Sequence, residues 1–79
     1  MDIDKDKIDD MVLALLHLTS FEYGDGVRAW KGHDWDALNR LFEKDFIGDP
    51  RTKAKSVFLT RAGEKRSAEL FRQFFGKGR

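Results

Sequence analysis

Not one of the 79 residues is a cysteine, so neither a disulfide nor a thiolate-bound metal can hold this chain together. A chain of this length is a single small domain and must find its stability in an apolar core. The material is present: 41% of the residues are hydrophobic, and seven Phe and two Trp supply the bulk that a disordered chain lacks. No apolar run approaches the roughly 18 residues of a membrane span. Met1-Asp2-Ile3-Asp4 has no basic leader character, so a cytoplasmic protein without membrane contact is expected. The expected domain covers residues 1–79, with 76–79 as a frayed tail.

The hydrophobic periodicity divides the chain. Asp4 reads as an N-cap, and Ile8, Met11, Val12, Leu15, Leu16 and Thr19 recur at three- and four-residue spacing, which predicts a helix over about residues 5–19. Leu13, Ala14 and Leu18 widen the apolar stripe, as in a helix covered on more than one side. Gly24, Gly26 and Gly32 punctuate residues 20–33, a structured connection in which Val27–Trp30 is either a short strand or one helical turn. Asp34 caps a second helix whose inner stripe is Leu38, Leu41 and Phe42 with Trp35 or Ala37; Asp36, Asn39, Arg40 and Glu43 point outward. Asp45 is the expected left-handed exit. Phe46-Ile47 opens a strand, Gly48-Asp49-Pro50-Arg51 carries turn chemistry, and Lys55–Leu59 returns with Val57 and Leu59 on one face. Thr60 caps a last helix, on which Ala68, Phe71 and Phe75 fall on one line and Leu70 and Phe74 on the next.

Charge is unevenly spread. Residues 1–49 hold twelve Asp/Glu and six Lys/Arg, a net of −6, whereas residues 50–79 hold nine Lys/Arg and two Glu, a net of +7. A basic surface for a polyanion, two complementary faces, or the ordinary solvation of a small domain each account for such a split.

The order helix, connection, helix, basic hairpin, helix resembles a winged helix, an elaborated helix-turn-helix. The residues that carry the resemblance are Asp34-Trp35-Asp36-Ala37-Leu38-Asn39-Arg40-Leu41-Phe42-Glu43-Lys44-Asp45-Phe46-Ile47, followed by Ser56-Val57-Phe58-Leu59-Thr60-Arg61-Ala62-Gly63. They match the "L-x-x-x-G-L-I" and "L-T-x-x-G" phrases of bacterial winged-helix regulators, with Asp45 where Gly is usual. A wider resemblance runs through Ile8–Leu16, Arg28–Asp36 and Lys53–Val57 to a small bacterial family known only as a domain of unknown function. Its members tend to carry His where this chain has Phe42 and Gly where it has Asp45. That family implies a fold and a bacterial origin but no activity.

The fold class expected is therefore α+β, winged-helix-like, with three main helices and a short β-hairpin wing. The function expected is binding: a nucleic-acid-binding regulator, or alternatively an interaction module or inhibitor, for example one encoded on a mobile element, that keeps the shape without DNA binding. In the first case double-stranded DNA would meet Asn39, Arg40 and Lys44 on the second helix and Arg51, Lys53 and Lys55 on the wing. Asp34, Asp36 and Glu43 on the same helix repel phosphates and favour a protein partner instead. A homodimer is expected on the first and last helices, with Leu70, Phe71, Phe74 and Phe75 as interface candidates. Trp30 and Trp35 are interface anchors or, the preferred reading, residues of the core and its edge.

Cofactor and metal chemistry is not expected. Asp2-x-Asp4-x-Asp6 opens like a calcium loop, but Lys7 stands where the loop needs Gly and Leu13 where it needs Glu. His33, Asp34 and Asp36 could converge, yet capping already explains both carboxylates, and His17 reads as structural. With no nucleophile–base pair or glycine-rich phosphate loop, an enzyme is not expected.

Overall fold

A computed structural model describes residues 1–78; Arg79, the last residue of the expected tail, lies outside them. Three capping side chains set the helix starts. Asp4 accepts from the Lys7 amide at 3.0 Å and begins α1 (Lys5–Leu18), and Asp34 accepts from the Ala37 amide at 3.0 Å and begins α2 (Trp35–Glu43). The Thr60 hydroxyl accepts from the Gly63 amide at 2.9 Å and begins α3 (Arg61–Phe75). That hydroxyl also donates to the Asp45 carbonyl at 2.7 Å, tying the end of α2 to the start of α3. Asp45 takes a left-handed conformation with φ of 65°, as its place after the second helix implied. Gly63 must be glycine, because a Cβ there would collide with the Phe46 carbonyl.

The chain is α+β, with three helices and a three-stranded antiparallel sheet in the order β1-β2-β3. The segment expected as a connection is a β-hairpin, β1 (Ser20–Tyr23) and β2 (Gly26–Trp30), closed by Gly24-Asp25. Gly24 supplies the positive φ, 60°, at the first central position of this two-residue turn. Of the two conformations open for Val27–Trp30, the strand is the one adopted.

The expected wing hairpin needs correction. β3 (Ser56–Leu59) pairs along its whole length with β2, not with Phe46-Ile47. Only Ile47 bridges to Leu59, and the Gly48 amide donates to the Phe58 carbonyl at 2.9 Å. Residues 49–55 form a longer loop. Lys31 holds it from beneath, its ammonium donating to the carbonyls of Pro50 at 2.6 Å and Thr52 at 2.9 Å.

The core lies between the inner sheet face and the helices. Leu13 and Leu16 of α1, Leu38 and Leu41 of α2 and Leu70 of α3 close on Ala29, Val57 and Leu59 of the sheet and on Ile47. Val57 and Leu59 share the inner face as the alternation predicts. Two assignments change: Trp30 and Trp35 are half-exposed and lie outside the core, and Leu70 is buried within the single chain. No helix among the described residues is long and apolar enough to cross a membrane.

Candidate functional site

The second helix shows why an outward position in a helical pattern need not face solvent. Asp9 of α1 is fully buried, and Arg40 reaches it from α2, its Nε 2.9 Å from both carboxylate oxygens and its Nη2 2.8 Å from Oδ1. Lys44 adds a second cation, its ammonium 3.0 Å from both Asp9 and Asp6. Burial pushes the Asp9 carboxyl up, but the hydrogen bonds and charges of Arg40 and Lys44 outweigh it and hold the group below its ordinary range. The same bonds raise the Arg40 guanidinium, and with Asp6 they raise the Lys44 ammonium against its own desolvation. Two of the three helix residues expected to touch DNA thus clamp α1 to α2. Asn39, the third, is half-buried beside them.

The basic loop is different. Arg51 pairs with Asp49 at 3.0 Å and lies over the Phe42 ring, whereas Lys53 and Lys55 are exposed and form no ion pair among the described residues. Within the same set, no three His, Asp or Glu side chains converge as metal ligands would.

The outer face of the sheet carries a constellation that helical periodicity did not bring forward. Strand alternation and the pairings Phe21↔Arg28, Tyr23↔Gly26, Arg28↔Phe58 and Trp30↔Ser56 put all of these residues on one face. Arg28 sits at the centre. Its Nε donates to the Ser56 hydroxyl at 2.7 Å and its Nη2 to the Ser56 carbonyl at 2.6 Å, which fixes the guanidinium 4.2 Å from the centre of the Phe58 ring and 5.6 Å from that of Tyr23. Cation–π attraction of this kind holds the guanidinium against the rings while leaving its charge uncancelled. Phe21 and Trp30 pack at 5.2 Å beside it, and Tyr23 meets Phe58 edge-on at 6.4 Å.

Three of these rings remain in water, Tyr23 at 59%, Trp30 at 53% and Phe58 at 46% exposed, and Phe21 is half-buried. Phe21, Tyr23, Arg28, Trp30, Ala54 and Ser56 line a shallow concavity of about 400 Å³. No outward position on the strands is acidic, since Glu22 opposes Val27 on the other face and Asp25 sits in the turn. The Lys31 amide donates to the Lys55 carbonyl at 3.1 Å, so the basic loop adjoins this face, with Lys53 and Lys55 on either side of the lining residue Ala54. One signal was available in the sequence: Phe21/Tyr23 and Arg28/Trp30 alternate at a spacing of two about the two-residue Gly24-Asp25 turn.

The molecule is thus a small α+β domain that keeps one sheet face uncovered. The family model described as a domain of unknown function (DUF6429) matches residues 4–77, and the chain belongs to that family. It is similar to the uncharacterized protein y4hR of Sinorhizobium fredii (strain NBRC 101917 / NGR234), at 53% identity over 75 residues covering 95% of this chain and 97% of the relative. No solved structure matches it.

Proposed function

We propose that this protein is a non-catalytic nucleic-acid-binding protein, and that it engages a single strand on the outer face of its sheet. The observation that carries the reading is the exposed set Tyr23, Trp30 and Phe58, with the half-buried Phe21, around a fixed Arg28, free of carboxylates and bordered by Lys53 and Lys55. Unstacked bases offer π-faces to aromatic and guanidinium planes, while the phosphates between them are drawn to a basic rim. A duplex hides those faces in its own stack.

The winged-helix arrangement is the second reading, with α2 as recognition helix and residues 48–55 as wing. Its support is that Lys53 and Lys55, in the loop that follows α2, are exposed and form no ion pair among the described residues. The basic loop serves both readings, but Arg40 and Lys44 are engaged within the fold and α2 keeps Asp36 and Glu43 exposed. A protein-interaction module is the remaining alternative, in which the same rings act as anchors.

Fluorescence anisotropy of a labelled single-stranded oligonucleotide and of a mixed-sequence duplex, each over a range of salt, separates the three. The single strand should bind more tightly than the duplex and weaken as salt rises. Lys53→Gln should make that dependence shallower by about 0.7 in slope, for the one phosphate that the variant no longer neutralises. Preference for the duplex would return the site to α2. No binding of either at low salt would end the nucleic-acid reading.

A further inference from the structure

A second uncovered surface lies on α1. Ile8, Met11, Leu15 and Leu18 recur at spacings of three, four and three, and so form one stripe along the helix. α1 buries its other faces: Val12, Leu13, Ala14 and Leu16 lie in the core and Asp9 meets α2. The ends of the stripe, Ile8 and Leu18, are exposed, and Met11 and Leu15 between them are half-buried. Its N-terminal end is a groove of about 480 Å³ whose apolar walls are Met1, Ile3, Ile8, Met11, Val12 and Leu15. Its other end is Leu18, 62% exposed, the most exposed apolar side chain on the helix.

We infer that this surface is covered by a second copy of the chain, with the two α1 helices antiparallel about a two-fold axis. The stripe is its own complement in that orientation: Ile8 of one copy meets Leu18 of the other, and Met11 meets Leu15. Ile8 and Leu18 are about 15 Å apart along the helix, so each Leu18 enters the groove at the far end of the other copy, as an isologous contact requires. A parallel arrangement would instead bring together the acidic ends that carry Asp2, Asp4 and Asp6.

The chain exposes 5630 Å², roughly 700 Å² more than the ~4,900 Å² expected of a folded monomer of its 9.2 kDa mass. One partner of a standard interface covers about 800 Å², and the total is that of the whole molecule, the bare sheet face and both chain ends included. The sheet face is unsuited to self-pairing, because it would set Arg28, Lys53 and Lys55 against the same charges. Nor does α3 offer the seam: Leu70 is buried, Phe71 and Phe74 pack against the core, and Phe75 alone of the four expected interface residues is exposed.

Light scattering on the full chain tests this. At about 100 µM, enough to populate a dimer of micromolar Kd, the mass should be twice the 9.2 kDa of one chain. Leu18→Glu changes an exposed position and should give a folded monomer, with Ile8→Glu doing the same and the circular dichroism unchanged in both. The chain has no cysteine, so Ile8→Cys/Leu18→Cys should form an interchain disulfide on oxidation that Ile8→Cys alone does not. A monomeric wild type, a dimer indifferent to Leu18→Glu, or ready cross-linking through Ile8→Cys alone would each overturn the proposal. None of these outcomes depends on whether nucleic acid binds.

Discussion

Arg40 and Arg28 are the same residue type used to opposite ends. Arg40 reaches from α2 onto the fully buried Asp9 and spends its donors there, with Lys44 beside it. Arg28 is anchored by a serine hydroxyl and a carbonyl, neither of which cancels its charge, and it lies between two exposed rings with no carboxylate on its face. A cation neutralised within the fold contributes to the fold; a cation held in place but left charged among open π-faces is available to a ligand. The neighbours of a basic residue, more than its presence on a helix suited to a groove, decide which of the two it is.

The comparison breaks most readily at the buried end. Asp9→Ala leaves Arg40 and Lys44 without their shared carboxylate and should cost about 3 kcal/mol or more, read as a lower urea midpoint. Arg40→Ala should act in the same direction with a smaller loss, because Lys44 still pairs with Asp9. The clamp is also sensitive to acid. The folded pKa of Asp9 lies below its ordinary value of 3.8, so its contribution is complete above that value and is lost as pH falls through the lower, folded one. In the Asp9→Asn variant this part of the acid dependence should vanish; an unchanged profile would remove the clamp from the account.

At the open end the expected effects fall on binding and not on stability. Trp30→Ala or Phe58→Ala should each weaken single-strand binding by about 1–3 kcal/mol, or roughly 5- to 150-fold, with the melting temperature nearly unmoved. A variant that loses stability but keeps its affinity would reverse the roles assigned to the two regions. The smallest effect sharpens the link between them: Thr60→Ala removes both the cap on α3 and the bond to the Asp45 carbonyl and should cost about 1–2 kcal/mol. Thermal melts of the variant check it.

Much of this architecture was legible in the residues. Asp4, Asp34 and Thr60 cap the three helices they were expected to cap, because capping depends on a side chain and an amide three residues away. The left-handed Asp45 and the inward pair Val57/Leu59 are local in the same sense. The β1–β2 hairpin was less legible, since four- and five-residue strands give too few alternations to stand out and Gly24, Gly26 and Gly32 look like breaks. The candidate site depends on that hairpin, and so Phe21, Tyr23, Arg28, Trp30 and Phe58 did not come forward as a group.

What the sequence determined by itself, then, is the set of elements with short-range causes: three helices, their caps, the inner stripe of α2, and a basic segment after the second helix. On α1 the expected stripe is shifted, since Ile8 is exposed while Leu13 and Ala14 are buried, and on α3 Phe75 is exposed while Ser67 is buried. Tertiary structure alone decided which strand lies beside β3, that Asp9 is buried against Arg40 and Lys44 across 31 and 35 residues of chain, and that one sheet face remains bare. Strand partners and buried ion pairs are chosen by competition among distant segments for the same core, and periodicity within one segment does not contain the outcome of that competition.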